Sequence, residues 1–566
     1  EAMKRVFNQE ALPNFDIANT NFLLNFGSDF LGTWLAPTHF MRGYGHFRQG
    51  QLMADKSISR DRGYFVQVDS RFSMTTANAD DWIYLNPGTE GLLALSLAYV
   101  IIDEGLGDAN ASRDLTGDRG AKSLAGFHPD LVSGPTGISA DRITHLARKF
   151  ADTSHGPSLA IGGGSASAHT NGLFNLQAIY SLNYLVGSVN KPGGIIFNPS
   201  SRLTQVTGAP LTEWEKAIEG MRDGKIKVLL TRDANILHGL PGSLSVESAL
   251  KNLDTIVSFS SFLDETTAEA DLILPGHTTL EEWGSDTPDP GPGYSTIALQ
   301  QPVVVPFVNT RSFGDVLLGT AKSLELKTGI DYPDMREALR DSMRPLQQTG
   351  VGSVRRPTVE EFWNRTLQRG GWWDTSDKPS SKSVKPSPLP TVGEAPVFNG
   401  KSSDYPYYLA PFESHSMGSG QLSHLPWLQA TPDPVTTVTW ITWVEVNPKT
   451  AETLGVRQED IVSVESSVGK IIDVPVYINP AAPPNVIGIP LSQGHTQFST
   501  YAANRGANVL SILDTAKDSQ TGALAWAATK VRLIKTSRKQ RISKMQGTVT
   551  PYQEPSEPII EVLHKH

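Results

Sequence analysis

Not one cysteine occurs in the 566 residues. That removes disulfides, thiolate-bound zinc, a thiol nucleophile and any all-cysteine iron–sulfur cluster from what these residues can build alone. It leaves the compartment open, because a chain without thiols suits oxidising and reducing surroundings alike. Long apolar runs are missing too. The most apolar stretch, Gly91 to Ile102 (GLLALSLAYVII), falls short of the roughly 18 residues a spanning helix needs, so it reads as a buried helix and no membrane span is expected. Basic residues are outnumbered, 49 Lys and Arg against 58 Asp and Glu. The formal charge of −9 argues against nucleic acid or an anionic membrane surface as an electrostatic partner. HExxH, GxSxG and P-loop patterns are absent, as is any tight His/Asp/Glu group at metal-ligand spacing, so no metal site is expected.

What is present is the composition of a globular chain too long for one core, so two to four domains are expected. The chain opens on Glu1, shows no signal-peptide pattern and falls at once into what reads as the interior of a fold, so an upstream segment is expected to precede it or to belong to another chain. Short apolar runs alternate with helical patterns. Asn21–Phe26 and Tyr64–Val68 read as strands, Gly91–Glu104 and Ala140–Phe150 as helices, the second with Ser139 as its N-cap. Ser158–Ile161 is a further strand running into Gly162-Gly163-Gly164. A second series follows, with strands at Lys227–Leu230, Thr255–Phe259 and Asp271–Leu274. Alternation of this kind predicts parallel sheets with helical crossovers. From Gly371 the composition turns to Ser, Pro and Lys. Beyond it, Ile461–Glu465, Ile471–Tyr477 and Val486–Ile489 are β-rich runs between Gly and Pro turns, the texture of a small barrel. The expected class is therefore α/β: two doubly wound parallel-sheet units, over 1–200 and 201–370, and a C-terminal β-barrel-like domain over 404–536. A linker or surface excursion over 371–403 joins them, and a basic, then Pro/Glu-rich tail covers 537–566.

Ligands of open α/β sheets sit beyond the carboxyl ends of the strands, where glycine lets backbone approach a phosphate. Five strand exits fit: Gly27-Ser28, Asp69 to Arg71, Gly162 to Ser165, Thr231 to Asn235, and Ser260 to Thr266. Each alone is more often turn punctuation. The Gly162 run also lacks the third glycine of the dinucleotide fingerprint, since Ser167 stands there. His277, with Glu281 and Glu282 behind it, is a candidate acid–base group against the plainer reading of a structural loop histidine. His495 lies in a polar loop after a strand, GHTQFSTYAANRG.

In order along the chain, these pieces resemble the molybdopterin oxidoreductases of the dimethyl-sulfoxide-reductase family. NFLLNFGSDFLGTW is similar to the strand and loop meeting a first dinucleotide. YFVQVDSRFSMTTANADDWIYLNPGTEG is similar to the passage in which an acid, here Asp69, and a turn, here Pro87-Gly88-Thr89, line a guanosine site. SLAIGGGSASAHTNG follows in family order with Gly163 and Gly164. VSFSSFLDETTAEADLILPGHTTLEEWG resembles the approach to a second dinucleotide, through Ser260 and Asp264. GIPLSQGHTQFSTYAANRG resembles the barrel loop that closes over the pterins, matching His495, Gln497 and Tyr501. The resemblance thus implies cofactor-facing positions at Gly27, Ser28, Asp69, Arg71, Pro87, Gly88, Thr89, Gly163, Gly164, Thr231, Asn235, Ser260, Asp264, His495, Gln497 and Tyr501, vestigial if no pterin is bound.

The chain departs from the family in having no cysteine motif for a cluster and almost nothing upstream of NFLLNF, where the molybdenum ligand normally lies. LGTWLAPTHFMRGYGHFRQG and PWLQATPDPVTTVTWITWVEVNP are most similar to the molybdopterin-oxidoreductase-like part of the B subunit of alternative complex III. That resemblance implies a metal-free, non-catalytic scaffold, without a cofactor of its own, in a quinol-oxidising assembly on the periplasmic face of a bacterial inner membrane. Its expected partners are an iron–sulfur subunit or domain, a multihaem cytochrome c and an integral-membrane quinol-binding subunit. The alternative is a catalytic fragment of a polysulfide-, tetrathionate- or arsenate-type reductase holding molybdenum bis-pterin guanine dinucleotide. A third, blander reading is an α/β protein for some other nucleotide. In a scaffold, side chains such as Arg232, Arg71 or Trp34 should fill the cofactor pockets; in an enzyme the pockets should stand open.

Overall fold

The computed structural model describes residues 1–49, 51–52, 55–59, 62–154, 156–202, 208–378, 384, 386–469 and 471–545. Four strands form the first sheet, all parallel, in the order Asp81–Ile83, Tyr64–Val68, Phe22–Phe26, Ser158–Gly162. The runs FLLNF and SLAIG are buried along their whole length, as strands covered on both faces must be. Helices Glu90–Asp103, Ala140–Ala151 and Gly172–Leu185 supply the cover, with Leu93, Ile143, Phe150 and Ile179 in one apolar cluster with Leu23 and Leu159. Ser139 caps the middle helix by accepting the Arg142 N–H. From Phe22–Phe26 the chain first adds strands on one side and then crosses to the other for Ser158–Gly162. That reversal is the topological switch point at which open α/β sheets take ligands.

The second sheet has three parallel strands, ordered Leu272–Ile273, Thr255–Ser258, Val228–Thr231. Helices Leu211–Arg222 and Val246–Leu250 cover one face in a cluster with Ile256. On the other face Val228, Leu230 and Leu272 are 55%, 53% and 48% exposed, and the strand register puts them on one side.

A third, antiparallel sheet of Gly284–Asp286, Ser295–Gln300 and Gly371–Asp374 was not legible in the sequence. Its last strand, GWWD, lies about 70 residues beyond its partner and at the start of the Ser/Pro/Lys-rich stretch; burial of Trp372 against Trp363 holds it in place. Further along that stretch Leu389 is buried in the first cluster and its N–H bonds the Leu115 carbonyl. Residues 379–383 and 385 of the expected linker lie outside the described residues, as do 546–566 of the expected tail.

Six strands close the C-terminal barrel in the order Tyr407–Phe412, Val486–Pro490, Val444–Val446, Ile471–Ile478, Asp460–Ser466, Lys530–Lys539, the last pairing back onto the first. Val444, Val462, Val476, Ile487 and Val531 fill its interior. Two parallel sheets and a barrel are thus the α/β architecture expected from the alternation of runs.

Candidate functional site

At the switch point of the first sheet two glycines meet. Gly27 has φ +71° and Gly164 φ +53°. A Cβ on Gly164 would lie 2.3 Å from the Gly27 carbonyl, and one on Gly27 would lie 2.2 Å from Ser165 Oγ. Both positions need glycine for the backbones to pass. Asp69, at the exit of Tyr64–Val68, is buried beside them. Its carboxylate accepts from Ser165 Oγ at 3.0 Å, from the Arg71 N–H at 3.2 Å and from Gln67 Nε2 at 3.2 Å. Burial nonetheless wins over these bonds and pushes the Asp69 carboxyl up to about 6.

These residues line a cleft of about 490 Å³, together with Pro87, Trp34, His169 and the barrel strand Tyr407–Phe412. The volume falls within the roughly 300–1,000 Å³ of small-molecule sites. Arg71 crosses the cleft to the barrel: its guanidinium lies 3.3 Å from the centre of the Phe412 ring and 3.3 Å from Glu445. Asp29 and His415 make a second bridge at 3.2 Å. Burial works against ionisation of Asp29, but the hydrogen bonds from His415 and Thr75 outweigh it and hold the carboxyl below its usual range. Trp34 packs its indole against Gly163 and stacks on Phe40 at 5.5 Å.

The exits of the second sheet are occupied by the chain itself. Glu265 accepts the Thr496 N–H at 2.6 Å, the Gln497 N–H at 3.1 Å and Asn235 Nδ2 at 2.6 Å, and lies 3.1 Å from His495 Nδ1. Burial alone would raise this carboxyl, but the hydrogen bonds from His495, Gln497 and Asn235 hold it well below the usual carboxylate range. His495 stacks on His238 at 3.7 Å. Burial, with the charge of His495 adding to it, pulls the His238 imidazole down to about 4. Across the neighbouring exit Arg232 pairs with Glu282 at 3.0 Å and lies over the Phe313 ring.

The structure therefore gathers Gly27, Asp69, Arg71, Pro87 and Gly164 at one cleft, and Asn235, His495 and Gln497 around Glu265. Ser28 turns inward to Asn25. Gly163 faces Trp34, the Gly88 carbonyl accepts Asn171 Nδ2, and Thr89 bonds the Asn86 carbonyl. Thr231 is buried at its strand end, Ser260 Oγ bonds the Phe262 carbonyl, and Tyr501 is exposed. One oxygen of the Asp264 carboxylate accepts the Thr267 N–H as a helix cap. His277 bonds Thr310 at 2.7 Å, and no group of three or more His, Asp or Glu among the described residues is placed to hold a metal ion. Sequence reasoning did not single out Glu265, His238, His169 or Glu90. The last two are fully buried polar groups with no spacing motif, so only packing reveals them.

A parallel sheet whose switch point opens on a cleft walled by a barrel strand has the geometry in which α/β proteins take ligands. Residues 2–316 match the profile of the Molybdopterin oxidoreductase family and residues 433–526 that of the Molydopterin dinucleotide binding domain. The chain belongs to the molybdopterin oxidoreductase family. It is 27% identical to the menaquinone reductase, molybdopterin-binding-like subunit, of Nitratidesulfovibrio vulgaris, over 92% of this chain and 72% of that protein. It is 24% identical to the thiosulfate reductase molybdopterin-containing subunit of Salmonella typhimurium and 23% to the arsenate respiratory reductase molybdopterin-containing subunit of a Shewanella species. Those alignments cover 57% and 56% of this chain but only 46% and 43% of the reductases, so the chain spans less than half their length. The acetylene hydratase of Pelobacter acetylenicus shares the fold, with a TM-score of 0.72 at 18% identity over 94% of this chain and 80% of that one.

The residues present fit the implied dinucleotides unevenly. The first crevice is open, with polar groups converging on it. At the second, Glu265 accepts the Thr496 and Gln497 N–H groups, and the three residues line a cavity of about 540 Å³ with Leu237 and Lys251.

Proposed function

We propose that this chain is a non-catalytic, metal-free structural subunit of a membrane-associated, quinone-linked electron-transfer complex of the alternative complex III type, on the periplasmic face of a bacterial inner membrane. Its partners are an iron–sulfur module, a multihaem cytochrome c and an integral-membrane quinol-binding subunit. The observation that carries the reading is the bare outer face of the second sheet. Parallel sheets are covered on both faces in a finished molecule, yet Val228, Leu230 and Leu272 stand open here, and Val303, Val304, Val305, Phe307 and Val308 form a further exposed apolar run. An apolar expanse of this kind belongs to a subunit covered by another polypeptide. Likeness to a menaquinone reductase subunit over 92% of the chain supports the quinone link. Among the described residues no helix is long and apolar enough to cross a membrane, so the complex's membrane anchor is assigned to a partner.

The open first cleft favours a second reading, a catalytic subunit carrying molybdenum bis-pterin guanine dinucleotide. Purification of the tagged chain from detergent-solubilised membranes tests the two. Co-purification of iron- and haem-bearing polypeptides, with molybdenum and tungsten far below one atom per chain, is the expected result. One molybdenum per chain, or recovery of the chain without partners, would overturn the proposal.

A further inference from the structure

Resting on the covering partner of the proposed function, we infer that residues 302–308 form a preset apolar finger that docks in a cleft of a basic polypeptide. The run QPVVVPFVN leaves strand Ser295–Gln300 and puts Val303, Val305, Phe307 and Val308 into solvent, Phe307 being 94% exposed. Its root is nonetheless fixed. The Val303 and Val304 N–H groups bond the Leu280 carbonyl at 2.9 and 3.3 Å, and the Phe307 N–H bonds Glu281 Oε1 at 2.9 Å. The other oxygen of that buried carboxylate accepts the Thr278 N–H at 3.0 Å. On the way back, the Arg311 N–H bonds the Pro275 carbonyl. Pro302 and Pro306 fix two further φ angles. An untethered loop of this composition gains by folding its valines and phenylalanine back onto the protein; this one is tied so that they point away. Apolar side chains ordered before contact lose less entropy on docking, and an aromatic tip is the kind of anchor that fills a partner's pocket.

Charge selects among the surfaces that could receive the finger. More than half of the large apolar side chains exposed among the described residues fall within 228–330. That span carries 5 Lys and Arg against 13 Asp and Glu, a net of −8 where the whole chain has −9. Such a field repels an anionic bilayer and a second copy of the same face, and it attracts a polypeptide rich in Lys and Arg. A zwitterionic bilayer would take the valines and Phe307 but gives the acids of the span no counter-charge. The surface that satisfies both features is an apolar cleft with a basic rim.

In-cell photocrosslinking of the full chain, with a benzophenone side chain in place of Phe307, tests the finger. The tagged chain is captured under denaturing conditions and the adduct sequenced by mass spectrometry. One polypeptide is expected, joined through a segment in which Lys and Arg outnumber Asp and Glu. Adding Val305→Asp is expected to lower the yield about tenfold, with the melting temperature where it was. An adduct with lipid, with a second copy of this chain or with an acidic segment would overturn the inference. So would the absence of any adduct, or a yield indifferent to Val305→Asp. Iron- and haem-bearing polypeptides that co-purify without an adduct at 307 would sink the finger and leave the complex standing. An adduct with a basic polypeptide, in a chain that brings down neither iron nor haem, would do the reverse.

Discussion

Glu90 sits fully buried at the first turn of its helix, with Asn175 Nδ2 at 3.2 Å from one carboxylate oxygen and nothing bonded to the other. Burial pushes its carboxyl up to about 8, with the nearby Asp69 charge adding to the rise. The folded chain therefore holds a proton that the unfolded chain releases near its ordinary value of 4.5. By linkage, the stability this proton confers is complete below that value and is lost as pH rises toward 8. Glu90→Gln removes the titration. The variant is expected to melt above the wild type at pH 8, by an amount equivalent to at most about 4 kcal/mol, and to converge with it near pH 4. Calorimetric scans from pH 4 to 9 give the comparison, and parallel curves for the two proteins would contradict the assignment. His169 shifts the other way. Its contribution weakens as pH falls from about 6.5, where the unfolded imidazole gains a proton, toward about 4, where the folded one does.

At the scale of elements, the neighbours Asp264 and Glu265 divide two tasks between a helix end and a barrel loop. Asp264→Ala removes a cap bond at 2.7 Å and is expected to lower stability by about 1 kcal/mol. Glu265→Ala releases Thr496 and Gln497, and limited proteolysis is expected to cut faster at 495–501 in that variant alone. Equal cutting in both would mean that the carboxylate does not hold the loop. The pair also shows what a sequence tells and withholds. Strands such as YFVQV and SLAIG were readable because continuous apolar runs ending at Asp or Gly have few other uses, and Ser139 was readable as a cap from its place before an amphipathic helix. Asp264 carries a readable cap signal as well, an acid three residues before Thr267, at the strand exit where the family resemblance implies a dinucleotide contact. The partner of Glu265 lies 231 residues away at Thr496, and the sheet strand Gly371–Asp374 lies far from its neighbour Ser295–Gln300. No periodicity encodes pairings of that range; they follow from how the sheets and barrel pack.

Considered whole, the molecule is braced by Arg71 and Glu445, which join the first sheet to the barrel through charges largely shielded from water. Removing one partner of a buried pair typically costs about 3–5 kcal/mol. Glu445→Ala is expected to fall in that range in urea unfolding, and Arg71→Met/Glu445→Leu to recover most of the loss; additive effects would argue against the strut. The exposed apolar surface makes a different forecast. The isolated chain is expected to bind a hydrophobic fluorescent dye while folded, and Val305→Asp with Phe307→Asp, at positions 85% and 94% exposed, to reduce the signal without moving the melting temperature. An unchanged signal would place the dye elsewhere. Closure of the barrel reaches beyond the finished molecule, into its synthesis. Tyr407–Phe412 finds its edge partner Lys530–Lys539 only after about 120 further residues have been made. At roughly 5–20 residues per second, nascent apolar strands wait on the order of ten seconds beside the ribosome before the last one seals them, so the cell's holding chaperones should meet this polypeptide through its C-terminal third.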